Sequence, residues 1–475
     1  MSEATTSDVL YRPATELADL VRRGEVTSRE LVEASLRRIG AVDDRVNAFV
    51  DVDADGALTV ADAIEPGDER PFAGVPIAIK TEFPTAGLLS TLGSNLFGDF
   101  RPDHDAHAVR RLREAGFVVV GTTNMPEMGI MPVTEPHRFG PTRNPWDLER
   151  TPGGSSGGSS AAVAAGMVPI AHGSDGGGSI RIPAACTGLV GLKPARNRIS
   201  RGPEVGEHWL TVQATLTRTV ADTAAVLDVM AGYELGDANW APPPAEAFAA
   251  SAAREPRPLR VALTTTPPVD CDVDPACAQA ARDAGELLAS LGHEVEETTP
   301  EWQVPGLGAM FLSAFGSSIA LAVLYGGMVA QREPTAADVE PMTWSIFQHG
   351  MEVNAVSYLA AVAQLQGFAR GFMSFFTDYD VLLTPSLATP PVPIGEYDTN
   401  LGMEEWGRTA QFTPFTAIAN VTGQPAISLP LFQGEEGLPL GVQIFGPPAG
   451  EGLLLSLASQ LEAARPWADR IAALD

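Results

Sequence analysis

Two glycine- and serine-rich clusters, GGSSGGSS at residues 153–160 and GSDGGGSIR at residues 173–181, lie close together in the chain. The segment between them, AAVAAGMVPIA at residues 161–171, begins with alanines that favour a helix and ends with an apolar run typical of a buried strand. A flexible Gly/Ser linker has no reason to recur on both sides of such a core-like segment. We therefore interpret the two clusters as ordered turns at the ends of regular elements.

Short apolar runs and helical stretches alternate along the rest of the chain. The runs expected to form strands are 75–79, 117–120, 168–171, 259–263, 381–383 and 442–445. The stretches expected to form helices are 107–115, 219–230, 275–291 and 453–464, and a capping box at Thr27 and Glu30 predicts a further helix near the N-terminus. Strands that alternate with helices predict a layered α/β fold. We expect one domain over residues 1–475, with a mobile insertion around residues 200–345 that contributes to a substrate cleft.

Charge and composition exclude some classes of partner. The formal net charge of -28 repels phosphate backbones and anionic lipid, so we expect neither a nucleic acid nor a membrane as partner. The three cysteines, Cys186, Cys271 and Cys277, have no metal-ligand spacing and are expected to be free thiols in a reducing compartment. The first ten residues lack the basic and apolar regions of a signal peptide, which predicts a cytoplasmic protein.

One uncharged stretch, residues 302–331, is long enough to contain a membrane span at 310–329. Its glycines and serines and the lack of a basic cluster at either flank argue against that assignment. We expect a buried helix or an apolar wall of a substrate site.

Glycine-rich turns are compatible with several kinds of site. A phosphate-binding P-loop needs a lysine after its last glycine, and neither cluster has one at that spacing. The residues Gly153, Ser155 and Gly157 match the nucleophile elbow of α/β-hydrolases, which would make the chain an esterase with Ser155 as nucleophile. That fold also needs an acid and a histidine later in the chain. The downstream histidines are His172, His208, His293 and His349, and this alternative stays open.

The second cluster is suited to an oxyanion hole. Tight turns of glycine allow backbone N–H groups to point inward without steric hindrance. The candidate donors are the amides of Gly176, Gly177, Gly178 and Ser179, with the Ser179 hydroxyl at their end. Such donors contribute on the order of 3 kcal/mol each to the stabilisation of a transition state.

Taken together, the two clusters resemble the signature of the amidase signature family. Its pattern is Gly-Gly-Ser-Ser-Gly-Gly-Ser, followed by Gly-Thr/Ser-Asp-x-Gly-Gly-Ser-Ile-Arg-x-Pro-Ala, and the match continues through Gly188, Gly191, Leu192, Lys193 and Pro194. Segments outside the signature also fit, at residues 74–80, 123–127, 144–147, 423–430 and 441–444. The resemblance implies an α/β fold with a central mixed, twisted sheet covered by helices on both faces.

The resemblance also implies a catalytic triad of Lys80, Ser155 and Ser179. In this family such a triad hydrolyses amide C–N bonds through an acyl-enzyme on the nucleophile, here Ser179, without a metal or an organic cofactor. The bridging serine would be Ser155, and the oxyanion would be held by Gly176, Gly177 and Gly178. To act as a neutral base, Lys80 needs a lowered pKa, which burial beside an apolar strand provides. Only Lys80 and Lys193 are lysines, and the family uses the Lys193 position for structure.

Two departures from the family pattern concern the surroundings of the triad. The family often has Asp directly after the catalytic Lys, whereas Thr81 and Glu82 follow here. Where Lys-Pro-Thr-x-Gly-Arg is usual, residues 193–198 read KPARNR. Because this loop lies near the entrance in relatives, the change bears on substrate choice, and Arg198 is a candidate substrate contact.

The sequence indicates the class of substrate less specifically than it indicates the reaction. Segments at residues 103–106, 115–117, 126–128 and 134–136 resemble nylon-oligomer hydrolases and related urethanases. The apolar residues expected to line the cleft are Met125, Met131, Trp209, Phe311, Phe315 and Phe415. They favour small hydrophobic aryl or alkyl amides, and a triad of this kind also cleaves carbamates and esters. A second family role is that of an amidotransferase subunit, which acts with partner subunits on charged tRNA and which the net charge does not favour. The resemblance to this family also implies a homodimer as an expectation.

Overall fold

In the computed structural model, which describes residues 8–204 and 209–474, eleven strands form one sheet. The strands are β1 Phe49–Val52, β2 Pro76–Lys80, β3 Val118–Thr123, β4 Ile170–Asp175, β5 Val190–Lys193, β6 Val212–Thr217, β7 Arg260–Leu263, β8 Glu294–Glu297, β9 Val381–Pro385, β10 Ala426–Gln433 and β11 Pro439–Phe445. Their order across the sheet is β1-β3-β2-β4-β6-β5-β10-β11-β9-β7-β8. The sheet is mixed, because β2 pairs in parallel with β3 and β4 while β4 pairs antiparallel with β6.

Helices connect and cover the strands. They are α1 Ala14–Arg22, α2 Ser28–Val46, α3 Ala54–Asp62, α4 His107–Glu114, α5 Gly157–Ala164, α6 Arg181–Thr187, α7 Val220–Met230, α8 Phe248–Ala252, α9 Pro275–Ser290, α10 Leu307–Val329, α11 Pro341–Glu352, α12 Ala355–Ser374, α13 Met403–Arg408, α14 Ala417–Thr422 and α15 Glu451–Ala464. The predicted capping box opens α2, since the Thr27 side chain accepts from the Glu30 amide and the Glu30 carboxylate accepts from the Thr27 amide. The α/β architecture with a mixed sheet is therefore confirmed.

Both faces of the sheet are covered. Every residue of β2, β3, β4, β6 and β9 is buried. Successive side chains of a strand point to opposite faces, so complete burial requires packing on each side. At one edge, β8 carries three exposed glutamates, and charges on an edge strand oppose pairing with another chain.

The predicted apolar runs correspond to β2, β3, β4, β7, β9 and β11, and the four predicted internal helices correspond to α4, α7, α9 and α15. The main difference is at β4, which continues past the predicted end at Ala171 to Asp175. The polar residues 172–175 extend the strand because their backbone pairs with β6 as far as Asp175 opposite Val212. Periodicity misses this extension because the buried side chains are polar.

Strands β6, β7 and β8 fall within residues 200–345, the range predicted as a mobile insertion. The range therefore supplies part of the central sheet, and its mobility stays a prediction. Residues 1–7, 205–208 and 475 lie outside the described residues. Most of the N-terminal stretch used to predict the absence of a signal peptide is therefore not described, and neither is His208.

The topology brings two strand ends together. Strands β2 and β4 are parallel neighbours, with Ile77 opposite Ile170 and Ala78 opposite Ala171. Parallel neighbours end at the same edge of a sheet, which is where open α/β folds place their ligands. Lys80 ends β2 and Asp175 ends β4, so both residues lie at this edge.

Candidate active site

Lys80 is completely buried at the carboxyl end of β2. Its Nζ lies 2.7 Å from Ser155 Oγ and 2.8 Å from Ser174 Oγ. The carboxylate of Glu82 is also close, with Oε2 3.2 Å from Nζ. Burial lowers the pKa of Lys80, and although the negative charges of Glu82 and Asp175 oppose this effect, the pKa remains below its usual value. A buried amine in contact with a serine hydroxyl is suited to accept the proton of that hydroxyl.

Ser155 lies in a tightly packed loop just before α5. A Cβ on the preceding residue, Gly154, would lie 2.8 Å from the carbonyl oxygen of Met131, so only glycine fits there. The peptide bond between Gly154 and Ser155 is cis. The next residue fixes the loop to the turn that carries Ser179, because the Ser156 amide donates to the Ser179 carbonyl oxygen at 3.2 Å.

Asp175 organises the turn that carries Ser179. Its carboxylate accepts from the amide of Gly178 at 2.8 Å and from the amide of Ile180 at 3.3 Å. Arg181 donates to both carboxylate oxygens, each at 2.9 Å, and the two side chains are completely buried. Burial alone would raise the pKa of Asp175, but the charge and hydrogen bonds of Arg181 lower it to about 2. The turn is thus built around an ionised carboxylate.

The structure revises one predicted oxyanion donor. The Gly178 amide donates to Asp175, and Gly178 is buried outside the cavity lining. Its φ of +134° and its contact with Thr416, whose Oγ1 would lie 2.3 Å from an added Cβ, explain why glycine is required. Gly176, Gly177 and Ser179 line the cavity, so they are the remaining candidates for donors.

A cavity of about 1820 Å³ opens above these residues. Its wall includes Ser155, Ser174 and Ser179. The wall also contains the aromatic side chains of Trp209, Phe311, Phe315 and Trp406. The last three have nearly parallel rings, with centroids 5.6 Å apart for Phe311 and Phe315 and 6.1 Å apart for Phe315 and Trp406. We call Phe311, Phe315 and Trp406 the aromatic wall.

Some of the predicted cleft residues line this cavity and others do not. Met131, Trp209, Phe311 and Phe315 are part of its wall. Met125, Arg198 and Phe415 are not, and their assignment to the cleft is corrected.

Each of these three residues has other neighbours. Phe415 is completely buried and packs against Trp302, with ring centroids 6.2 Å apart. Arg198 forms a buried ion pair with Glu451 at 2.8 Å, so it holds the loop after β5 instead of facing a substrate. Met125 is completely buried in the interior.

Most of the uncharged stretch of the sequence forms helix α10. It is long and apolar enough to cross a membrane by length and composition, but one helix of this kind is weak evidence for a span. Only 33% of its most apolar window is buried, so a fully buried helix is not what the structure has. Instead, α10 lines the cavity along much of its length, including Phe311, Phe315 and Tyr325. The helix therefore forms an apolar wall of the cavity, and the binding of a substrate there stays a prediction.

Among the cavity residues that sequence reasoning missed are Glu82, Ser174, Arg201 and Trp406. Glu82 lies in a turn directly after β2, in which the Phe83 amide donates to the Lys80 carbonyl oxygen at 3.2 Å, so strand alternation does not predict its contact with Lys80. Ser174 lies inside the second cluster, just before the strand end at Asp175. Arg201 and Trp406 come from loops and a short helix distant in sequence from the triad, and no local pattern marks them.

The partner of Ser155 bears on the esterase alternative. Ser155 contacts an amine, Lys80 Nζ, instead of an imidazole. Of the described downstream histidines, His172 pairs with Gln213 and His293 with Gln460, and His349 is not part of the cavity wall. In addition, Ser155 does not directly follow a strand, as a nucleophile elbow requires.

Among the described residues, no group of three His, Cys, Asp or Glu side chains is placed to hold a metal ion.

Comparisons with known proteins agree with this geometry. Residues 30–455 match the family described as Amidase. The chain is 40% identical to the 6-aminohexanoate-cyclic-dimer hydrolase of Paenarthrobacter ureafaciens, over 97% of this chain and 96% of that protein.

Solved structures give the same picture. A structure of 6-aminohexanoate cyclic dimer hydrolase complexed with substrate superposes with a TM-score of 0.94 at 38% identity, covering 98% of this chain and 99% of the other. A bacterial aryl acylamidase of the amidase signature enzymes superposes with a TM-score of 0.86 at 26% identity, covering 97% of both chains.

Proposed function

The chain belongs to the amidase signature family of amide hydrolases, and from this premise we propose that it cleaves amide C–N bonds through an acyl-enzyme on Ser179. The observation that carries the proposal is the buried contact of 2.7 Å between Lys80 Nζ and Ser155 Oγ. Ser155 and Ser179 line the same cavity. The proposed bridging hydroxyl and nucleophile therefore face one cavity, and the proposed base contacts the bridging hydroxyl.

In the proposed mechanism, neutral Lys80 takes the proton of Ser155, and Ser155 takes the proton of Ser179. The Ser179 oxygen attacks the carbonyl carbon, and the negative charge that develops on the carbonyl oxygen is stabilised by the amides of Gly176, Gly177 and Ser179. Collapse of this intermediate breaks the C–N bond as Ser155 returns a proton to the leaving amine. Water, deprotonated by the same relay, then hydrolyses the acyl-enzyme.

We propose hydrophobic aryl or alkyl amides as the substrate class, with carbamates and esters as further substrates. The aromatic wall supports this choice, because stacked rings bind apolar and aromatic groups well. The cavity exceeds the size typical of sites for drug-sized ligands, about 300–1,000 Å³, which suits a long or ring-shaped substrate. Relatives named for a cyclic amide dimer and for aryl acylamides agree with this class.

The test is hydrolysis of an anilide, a primary amide, an aryl ester and an aryl carbamate by the wild type and by Ser179→Ala. We expect Ser179→Ala to lose at least about 10⁴-fold in kcat, because removal of the nucleophile leaves only binding and the oxyanion hole. Intact mass spectrometry during turnover of the ester should detect the acylated wild type and an unmodified Ser179→Ala.

Two further variants separate the alternatives. Ser290→Ala changes an exposed serine at the end of α9 and should retain wild-type turnover. If Ser179→Ala remained active and acylated while Ser155→Ala did not, the nucleophile would be Ser155 and the proposed mechanism would be wrong.

A further inference from the structure

Several charged or titratable groups surround Lys80. Glu82 follows it on the same segment, His172 and Asp175 lie on β4, and Arg201 lies on the loop after β5. Burial lowers the pKa of His172 to about 4, so this imidazole is neutral at pH 7. The charge of Asp175 is matched by its buried partner Arg181. Besides Asp175, whose charge is paired with Arg181, Glu82 and Arg201 are the charged side chains among the described residues that act on Lys80.

Glu82 is held against Lys80 in two ways. Its Oε2 lies 3.2 Å from Lys80 Nζ, and it also accepts a hydrogen bond from Ser174 Oγ. Ser174 in turn lies 2.8 Å from Lys80 Nζ, so the hydroxyl connects the carboxylate and the amine. Burial alone would raise the pKa of Glu82, but the positive charges of Lys80 and Arg201 lower it, and the carboxyl group is ionised.

Arg201 is fixed near this pair without bonding to it. Its Nε and Nη1 are buried and have no hydrogen-bond partner in the part of the chain that the structure describes. The guanidinium lies over the ring of Phe83, 5.7 Å from its centroid. The loop is anchored on both sides of Arg201, because Ser200 Oγ lies 3.0 Å from His107 Nδ1 and the Gly202 carbonyl accepts from the His107 amide at 2.9 Å. The positive charge is therefore held over Phe83 in the cavity wall that also contains Glu82, where it acts electrostatically on Glu82 and Lys80.

The net charge of Lys80, Glu82 and Arg201 depends on whether Lys80 is protonated. When Lys80 is protonated, the three groups carry one surplus positive charge in a poorly solvated site; when Lys80 is neutral, Glu82 and Arg201 balance. An uncompensated charge is unfavourable in such a site, so Arg201 favours the neutral amine. Without Arg201, the balanced state would be the ammonium of Lys80 with the carboxylate of Glu82. The two side chains therefore act on Lys80 in opposite directions.

We propose that Glu82 and Arg201 are opposed positioning residues that set the proton affinity of Lys80, with Arg201 favouring the neutral base and Glu82 favouring its protonated form. This inference rests on the proposed role of Lys80 as the base. It assigns Arg201 to the chemistry of the triad even though the guanidinium has no hydrogen bond to any triad residue. It also accounts for a carboxylate two positions after the lysine, where the family pattern has one directly after it.

The chain allows a direct test because it has only two lysines. With lysine labelled by ¹³C at Cε and ¹⁵N at Nζ, an NMR titration of the full chain follows two side chains, and Lys193→Arg assigns them. We expect Arg201→Gln to raise the pKa of Lys80 by about one unit and Glu82→Gln to lower it by a similar amount, as charges removed at short range do. Lys193 serves as the internal control, because neither Glu82 nor Arg201 is among the charges that act on it.

The second measurement is kcat/KM as a function of pH. The decrease of kcat/KM on the acidic side of this profile, called the acidic limb, reports the protonation of the base in the free enzyme. The limb should move to higher pH in Arg201→Gln, so that activity lost at neutral pH returns at alkaline pH, and to lower pH in Glu82→Gln. Arg201→Lys keeps the charge and should restore the wild-type limb. The double variant Glu82→Gln/Arg201→Gln should lie between the two single variants.

The NMR titration and the kinetic measurement can each contradict the inference independently of the proposed function. The titration needs no substrate, so an unchanged Lys80 in Arg201→Gln, or shifts of the same sign in both single variants, would overturn the inference whatever the enzyme hydrolyses. Equal loss of activity at every pH in Arg201→Gln would also overturn it, because a purely structural role gives that result. Absence of turnover by the wild type, in contrast, would contradict the proposed function and not the charge arrangement.

Discussion

The two lysines of the chain end two strands of the same sheet, yet their surroundings differ. Lys80 ends β2 and Lys193 ends β5, and both side chains are completely buried. Burial lowers the pKa of each, in the case of Lys193 to about 7. The Lys80 amine contacts the hydroxyls of Ser155 and Ser174, whereas the Lys193 amine donates to the carbonyl oxygen of Pro194 at 2.8 Å.

Access to the cavity separates the two sites further. Ser155 and Ser174, the partners of Lys80, line the cavity, whereas neither Lys193 nor Pro194 does. A buried lysine with a lowered pKa is therefore not by itself a catalytic lysine. What distinguishes Lys80 is a hydroxyl within hydrogen-bond distance that also lines the cavity.

Replacing each lysine by methionine should have very different effects on activity. Lys80→Met should reduce kcat/KM by about 10³-fold, since general-base catalysis contributes about 10²–10⁴-fold. Lys193→Met should retain kcat within about threefold per folded molecule, because it changes packing away from the reacting atoms. Turnover normalised to active, folded protein measures both. Comparable losses in the two variants would remove the distinction drawn between the lysines.

Asp175 connects the two regions, because its negative charge opposes the lowering of the pKa of both lysines. Asp175→Asn breaks the buried pair with Arg181 and should lower the free energy of unfolding by about 3–5 kcal/mol. Urea unfolding measures this change. Glu16→Gln removes an exposed ion pair with Arg12 and should cost at most about 1 kcal/mol. A loss for Asp175→Asn no larger than for Glu16→Gln would show that the turn does not depend on the carboxylate.

The smallest expected effect concerns pH and Lys193. An unfolded lysine keeps its proton up to about pH 10.4, whereas folded Lys193 releases it near pH 7. Between these values the unfolded state holds more protons, so the contribution of Lys193 to stability increases as the pH rises. Relative to Lys193→Met, the wild type should gain about 1 kcal/mol per pH unit in this window.

Urea unfolding of both proteins between pH 7.5 and pH 9.5 checks the slope. Titration of all other groups cancels in the difference between the two proteins. Parallel stability curves would mean that Lys193 stays protonated in the folded protein.

Much of the architecture follows from local patterns. The apolar runs that predict β2, β3, β9 and β11 are short, rich in Val, Ile and Leu, and bounded by turn residues, so periodicity and length identify them. The capping box at Thr27 is equally local. The polar extension of β4 was missed, because a strand of buried polar residues has the composition of a loop.

The candidate site was predicted only in part. Lys80, Ser155 and Ser179 came from a resemblance that covers most of the chain, and the contact between Lys80 and Ser155 agrees with it. The residues predicted to line the cleft show where prediction from the sequence fails. Phe311 lines the cavity and Phe415 packs in the core, although both are apolar aromatic residues. Hydrophobicity predicts burial, but it does not say whether a side chain is buried against protein or faces a cavity.

The sequence by itself determined the alternation of strands and helices, the two glycine-rich turns and the residue types needed for hydrolysis. These depend on neighbours within a few positions, where backbone conformation and side-chain periodicity act. The folded structure is needed to show that the amide of Gly178 bonds to Asp175, that Arg198 pairs with Glu451, and that the charge of Arg201 acts on Lys80. Those contacts join segments whose proximity is set by sheet order and loop packing, and electrostatic interactions depend on distance in space, not on separation along the chain.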